Sequence, residues 1–257
     1  MSDIAGKTVV ITGAGSGIGQ ALSRRFAADG ATVVGTDVNE AGLAALSGMD
    51  NILTTRADVT SWEQVKASVD FAVEKTGKID VYINDAGIAI ESTVVDTDPA
   101  KFALLQAVHV NGCLYGMKAA LGYMREQRSG HILNIISRVA ETATPGLSAY
   151  GSAKAAMWSL TRIAAAENSD RGIFINALFP GMSRTAMTSG GEMGDPGKLG
   201  EPDQQYDTFK MLATLDEGSP TGEVWFGGEI YPMFGGSDVS AVTGAFAEGR
   251  ASGKANL

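Results

Sequence analysis

Short β-branched and aliphatic runs alternate along the chain with longer stretches whose apolar positions recur every three or four residues. The short runs fall at 8–12, 32–36, 52–56, 81–84, 131–136 and 174–178, and they read as strands buried in a parallel sheet. The helical stretches fall near 17–29, 61–75, 99–127 and 149–168. In the first of these, Ile18, Ala21, Leu22 and Phe26 share one stripe, and Asp29-Gly30 closes it. Glycine is suited to that place because a helix end often needs the left-handed conformation. Alternation of this kind builds an α/β fold, a doubly wound parallel sheet with helices on both faces. A chain of 257 residues without internal repeat or domain-scale linker reads as one domain, 1–257.

The first turn is a candidate binding site. Strand 8–12 runs into Gly13-Ala-Gly15-Ser16-Gly17-Ile18-Gly19, where helix 17–29 opens. The pattern is Thr-Gly-x-x-x-Gly-x-Gly; the strict G-x-G-x-x-G is not met, since Ile18 stands where its third glycine would fall. Unpaired amides and the helix dipole at such a place both favour phosphate. The run 31–36 then ends in Asp37, a carboxylate placed to accept hydrogen bonds from ribose hydroxyls. No lysine or arginine follows at Val38, Asn39 or Glu40. A 2′-phosphate would therefore meet uncompensated negative charge, and NAD is expected over NADP.

Tyr150 and Lys154 lie one helical turn apart and share a face, thirteen residues after Ser137. A free phenol titrates near ~10 and is a poor base at neutral pH. A neighbouring ammonium is expected to lower that value towards the range useful for proton transfer. Ser137 offers a hydroxyl that can hold a substrate oxygen against the phenol.

With these residues the stretch from about 7 to 185 resembles the short-chain dehydrogenase/reductase family, whose fold is Rossmann-like. Further stations of its pattern follow in order. Asp58-Val59 is similar to the pair that lies beside the adenine ring. Asn84-Asp85-Ala86-Gly87 resembles the family's Asn-Asn-Ala-Gly, with Asp85 in place of the second asparagine. Asn111 matches the asparagine that helps hold a water leading to the lysine. Pro180-Gly181-Met-Ser183-Arg-Thr185 resembles the loop that contacts the nicotinamide carboxamide. The resemblance implies an NAD(H)-dependent oxidoreductase acting on a secondary alcohol or ketone. Asn111, Ser137, Tyr150 and Lys154 would be its catalytic residues, with Lys154 also holding the nicotinamide ribose. The cofactor would be bound by Gly13, Ser16, Gly17, Ile18, Gly19, Asp37, Asp58, Val59, Asn84, Ala86, Gly87, Tyr150, Lys154, Pro180, Gly181, Ser183 and Thr185. A homotetramer is implied by resemblance. Beyond Thr185 the likeness thins.

Composition excludes several alternatives. A net charge of −9 argues against nucleic acid or an anionic membrane surface. No apolar stretch is long enough to span a bilayer. The opening Met1-Ser-Asp-Ile lacks the basic flank of a leader, and a single cysteine suits a reducing, cytoplasmic compartment. Cys113 sits in an apolar helical pattern and reads as core. His109 and His131 have no ligand-like spacing, so no metal is expected. His131 reads as structural at a strand edge, and His109, two residues before Asn111 on the same helix, as packing or capping there. The glycine turn with Asp37 also resembles the nucleoside site of S-adenosylmethionine-dependent methyltransferases, but that reading leaves Ser137, Tyr150, Lys154 and Asn111 unused. A catalytically silent dinucleotide-binding regulator would be free to lose the tyrosine or lysine. The segment at about 186–236 is expected to form a substrate lid, with Gly227-Gly228 turning a hairpin. Trp225, Phe226, Tyr231 and Phe234 would line an apolar pocket for a hydrophobic or cyclic substrate, or else a subunit interface.

Overall fold

A computed structural model describes residues 3–142, 144–185, 187–188 and 199–233. Eight strands form one sheet in the order β3-β2-β1-β4-β5-β6-β7-β8. They are β1 (Thr8–Thr12), β2 (Thr32–Asp37), β3 (Ile52–Arg56), β4 (Val81–Asn84), β5 (Gly130–Ile135), β6 (Ile173–Leu178), β7 (Val224–Phe226) and β8 (Glu229–Ile230). All neighbours pair in parallel except β7 and β8, which form an antiparallel hairpin. Gly227 and Gly228 turn that hairpin at φ +60° and +83°, the pair of left-handed residues a two-residue turn asks for. Because the winding runs outward from β1 in one direction and from β4 in the other, a crevice opens beyond their carboxyl ends.

The strands alternate strictly. Val10, Val34, Tyr82, Ile132 and Ile175 pack with Val65 and Val69 of α3 (Trp62–Thr76), Met117 of α5 (Gly112–Gln127) and Met157 of α6 (Ser148–Glu167). Val9, Ile11, Val33, Ile83 and Leu133 face the other way, onto Leu22 and Phe26 of α1 (Gly17–Ala28) and Phe209 and Leu212 of α7 (Tyr206–Leu212). Both faces of the central strands are covered, which is why apolar residues fall at consecutive positions in them.

Two elements depart from the sequence reading. A short helix, α2 (Glu40–Ala44), follows β2, capped by Asn39, whose side chain accepts from the Gly42 amide at 3.1 Å. The long helix expected over 99–127 is divided into α4 (Pro99–Gln106), a π turn (Ala107–Asn111) and α5. The expected lid is also shortened. Within it, α7 (Tyr206–Leu212) and β7 (Val224–Phe226) belong to the core. Tyr206 stacks edge-on against Phe26 at 5.1 Å, and Lys210 pairs with Asp29 at 2.7 Å. Of the remainder, Ala186, 189–198 and Phe234 onward lie outside the described residues.

Candidate active site

The turns after β1 and β4 are laced together at the crevice. The Thr12 hydroxyl accepts from the amides of Asp85 and Ala86, each at 3.1 Å. Gly13 has φ +75°, and a Cβ there would come within 2.9 Å of the Ala86 backbone. A Cβ on Gly15 would meet the Asp37 carboxyl carbon at 2.8 Å, one on Gly17 the Thr185 methyl at 3.1 Å, and one on Gly19 the Gly13 carbonyl oxygen at 2.5 Å. The glycines thus let the loop pack closely against the turns after β2 and β4 and against Thr185, and the amides at the start of α1 are of the kind that fits the phosphates of a dinucleotide. Ser16 is exposed, and its side chain makes no capping hydrogen bond. Ile18 is half-buried against the α1 side of the core.

At the end of β2, half-buried Asp37 accepts from the amides of Gly15 and Asn39, each at 2.8 Å. In-register Arg56 stands beside it on β3, a cation that spacing along the chain does not reveal. Its guanidinium is engaged by Glu40 and Gln64, each at 3.3 Å. Asp58 accepts from the amide and hydroxyl of Thr60 at 2.9 and 2.7 Å, and Val59 lies against Gly112. Asn84 is buried and donates to Asn134 Oδ1 at 2.8 Å, while Asn134 donates to Thr161 at 2.8 Å. Its side chain therefore braces the sheet, and only its backbone is left for a nucleotide. Ala86 and Gly87 are half-buried in the same turn.

Three catalytic candidates come together where β5 and α6 converge. Ser137 follows β5 and caps one 3-10 turn, accepting from the Val139 amide at 3.3 Å. Tyr150 and Lys154 are 9 % and 3 % exposed on the inner face of α6. Lys154 Nζ donates to the Ile135 carbonyl at 2.7 Å and lies 5.5 Å from the Tyr150 ring centre. Burial lowers the Lys154 ammonium to about 8, against the opposing pull of Asp85. The expectation that Lys154 lowers the phenol is corrected: burial pushes Tyr150 up to about 12, with only the nearby Ser137 hydroxyl drawing it down. The ammonium is spent on a backbone carbonyl, and removing the phenolate from water costs more than a charge beyond the ring returns.

Asn111 ends the π turn with an exposed side chain and makes no hydrogen bond to Lys154. The same turn instead delivers His109, whose sequence reading was packing or capping. Its ring meets Tyr150 edge-on at 5.4 Å, and Nε2 lies 2.7 Å from the Ile88 carbonyl. Burial holds the imidazole down at about 3, so it is neutral at neutral pH. The π turn sets this contact, and nothing in the local sequence signals one. Cys113 is buried, with its thiol pushed up to about 12, and is inert. His131 accepts a structural place, stacked on Phe174 at 5.4 Å with Nε2 2.9 Å from the Leu215 carbonyl.

The loop 180–185 closes the crevice from the β6 side. Gln204, which sequence reasoning passed over, donates to the carbonyls of Pro180 and Met182 and to Ser183 Oγ at 3.1, 3.2 and 2.9 Å. It comes within 2.9 Å of where a Gly181 Cβ would stand. The three aromatics among the described residues, Trp225, Phe226 and Tyr231, do not line one pocket. Trp225 is buried in the core, Phe226 is exposed, and Tyr231 packs on Phe179 at 4.8 Å and hydrogen-bonds Glu141. The apolar wall beside Tyr150 is formed by Ile88, Ile90, Val139 and Leu147.

No helix among the described residues is long and apolar enough to cross a membrane. Among them, no group of three or more histidine, cysteine or carboxylate side chains could hold a metal ion.

Residues 7–193 match the family model of short chain dehydrogenases. The chain is 38 % identical over 186 residues to an uncharacterized oxidoreductase of Mycobacterium bovis, covering 71 % of this chain and 75 % of that one. Among solved structures it is similar to levodione reductase, with a TM-score of 0.79 and 30 % identity over 86 % of this chain and 95 % of the other. It is likewise similar to a 3-ketoacyl-(acyl-carrier-protein) reductase from Brucella melitensis complexed with NADH, at TM-score 0.79 and 29 % identity over 86 % and 96 % of the two chains.

Proposed function

The chain belongs to the short-chain dehydrogenase family, and on that premise we propose that it interconverts a secondary alcohol and a ketone with NAD(H). The observation that carries this reading is the meeting of Ser137, Tyr150 and Lys154 beside a glycine-walled crevice. A nicotinamide bound there would accept or supply the hydride. Ser137 holds the substrate oxygen, and Tyr150 gives or takes its proton. With the phenol held near 12, Tyr150 is protonated at neutral pH and is ready to act as an acid towards a carbonyl. Oxidation of an alcohol requires the scarcer phenolate. Lys154 fixes the end of β5 against α6 and presents its charge to the ribose, and Asn111 supports a water path to solvent.

The cofactor is proposed to be NAD because Asp37 faces the crevice and Arg56, the neighbouring cation, is already engaged by Glu40. The substrate is proposed to be hydrophobic or cyclic, on the apolar wall of Ile88, Ile90, Val139 and Leu147. Residues 186–205 are proposed as the part of the chain that sets specificity. A methyltransferase would have no use for the Ser137–Tyr150–Lys154 cluster, and a silent regulator would not turn over. A panel of secondary alcohols and ketones, followed by NADH absorbance, tests the reading. No turnover with any member, despite NADH binding, would leave the silent regulator.

A further inference from the structure

The turn after β4 carries a charge that the mechanism does not use. Asp85 lies directly over the phosphate-binding end of α1. Its Oδ2 is 2.7 Å from where a Gly19 Cβ would stand, and the Gly13 carbonyl oxygen is 2.5 Å from the same point. The carboxylate therefore lies against the Gly19 amide, with the Gly13 carbonyl oxygen near the same point of the turn. Its backbone cannot withdraw, since the Asp85 amide is held by Thr12 at 3.1 Å. An ionised carboxylate draws on the Gly19 amide, at the start of α1, where a phosphate would also draw on the helix end.

We propose, resting on the dinucleotide reading above, that Asp85 is a positioning residue that couples cofactor binding to pH: the phosphates bind well only when its carboxyl group carries a proton. The amides and the helix dipole at the start of α1 would serve the phosphates and the Asp85 carboxylate alike. Two anions at one helix end repel, so the approach of one favours the neutral form of the other.

The charged and titratable groups around Asp85 are few. Asp37, at the end of β2, disfavours its ionisation; Lys154, on α6, favours it; the Tyr150 phenol feels its charge. Cys113 on α5 and His109 on the π turn are governed by burial and by Lys154. Burial outweighs the favourable partners and raises the Asp85 carboxyl to about 7. The group thus titrates where the protein would work, and an asparagine in its place would not.

The sign follows from linkage. Below about 7 the carboxyl is neutral and affinity is at its highest; above it, binding must take up a proton and weakens as pH rises. NADH titrated by fluorescence into wild-type protein from about pH 6 to about pH 7.5, below the loss of the Lys154 charge, should show Kd rising by about fourfold, while Asp85→Asn should change by less than about twofold. A flat wild-type profile, or an equal slope in Asp85→Asn, would overturn the proposal while leaving the nicotinamide reading intact. Absence of NADH binding at every pH would overturn both. Should Asp85→Asn not fold, calorimetry of wild-type protein in buffers of different ionisation enthalpy gives the proton uptake directly. Uptake centred near 7 supports Asp85; uptake centred near 8 belongs to Lys154 and overturns the proposal, as does no uptake.

Discussion

At the scale of single residues, proton transfer rests on one phenol. Tyr150→Phe keeps the ring that packs against His109 and deletes the proton carrier. Turnover should fall by roughly two to four decades while NADH still binds; near-wild-type kcat would remove Tyr150 from the mechanism. The phenol near 12 and the ammonium near 8 set a pH profile with a definite sign. Alcohol oxidation should quicken by about tenfold per pH unit across the neutral range, as phenolate becomes available. At saturating NADH, carbonyl reduction should stay level and decline past about 8, where Lys154 loses its charge. Opposite trends in initial rates would reverse the assignment. Asp37→Ala removes both a ribose partner and a repulsive charge, so the ratio of NADH to NADPH affinity should shrink. A wild-type preference for NADPH would sink the argument. The spacing of Ser137, Tyr150 and Lys154 was legible in the sequence because it lies on one helix and one strand end. The direction of the Tyr150 shift was not, because burial belongs to the whole fold and not to a spacing.

At the scale of elements, β4, β5 and α6 are joined by polar groups inside an otherwise dry interior. Asn134 is fully buried between Asn84 and Thr161. Asn134→Leu would strip Asn84 of its side-chain partner while Thr161 keeps its bond to the Met157 carbonyl. A loss of about 1–2 kcal/mol is expected, because the buried Asn84 amide keeps only its 3.5 Å contact with the Cys113 carbonyl and regains no hydration. A urea midpoint unchanged at constant slope would show that the network carries nothing. The six strands from β1 to β6 were legible from their apolar runs, since both faces of each are covered. α2 escaped notice because Glu-Ala-Gly-Leu-Ala is too short to show a period, and its helix depends on the Asn39 cap. The π turn escaped because one extra residue leaves the 3.6 pattern of 99–127 nearly unaltered, although it places His109 against Tyr150. Trp225 was misleading for a related reason. An aromatic residue near a glycine hairpin reads as pocket lining, but its strand joins the sheet and turns the indole into the core.

At the scale of the whole molecule, what stays uncovered is as informative as what is buried. α4, α5 and α6 bury Leu105, Met117 and Met157 in their own subunit. They also leave Phe102 at 39 %, Leu104 at 51 %, Leu114 at 43 % and Ile163 at 53 % exposed. α4 packs on α6, and the π turn joins α4 to α5, so these side chains belong to neighbouring elements. Single apolar residues on a surface call for no explanation, but several on adjoining helices mark a surface that gains by association. A symmetric pairing places the same patch against itself, so each exposed side chain is covered once per subunit. A homo-oligomer at micromolar concentration is the expected outcome. The pair Leu114→Glu and Ile163→Glu puts like charges into that contact, where they cannot be both buried and unpaired. Light scattering should then give a smaller mass than wild type, while circular dichroism keeps the same helix and strand signal. A wild-type protein already monomeric, or a double variant with unchanged mass, would place these helices at an ordinary solvent face.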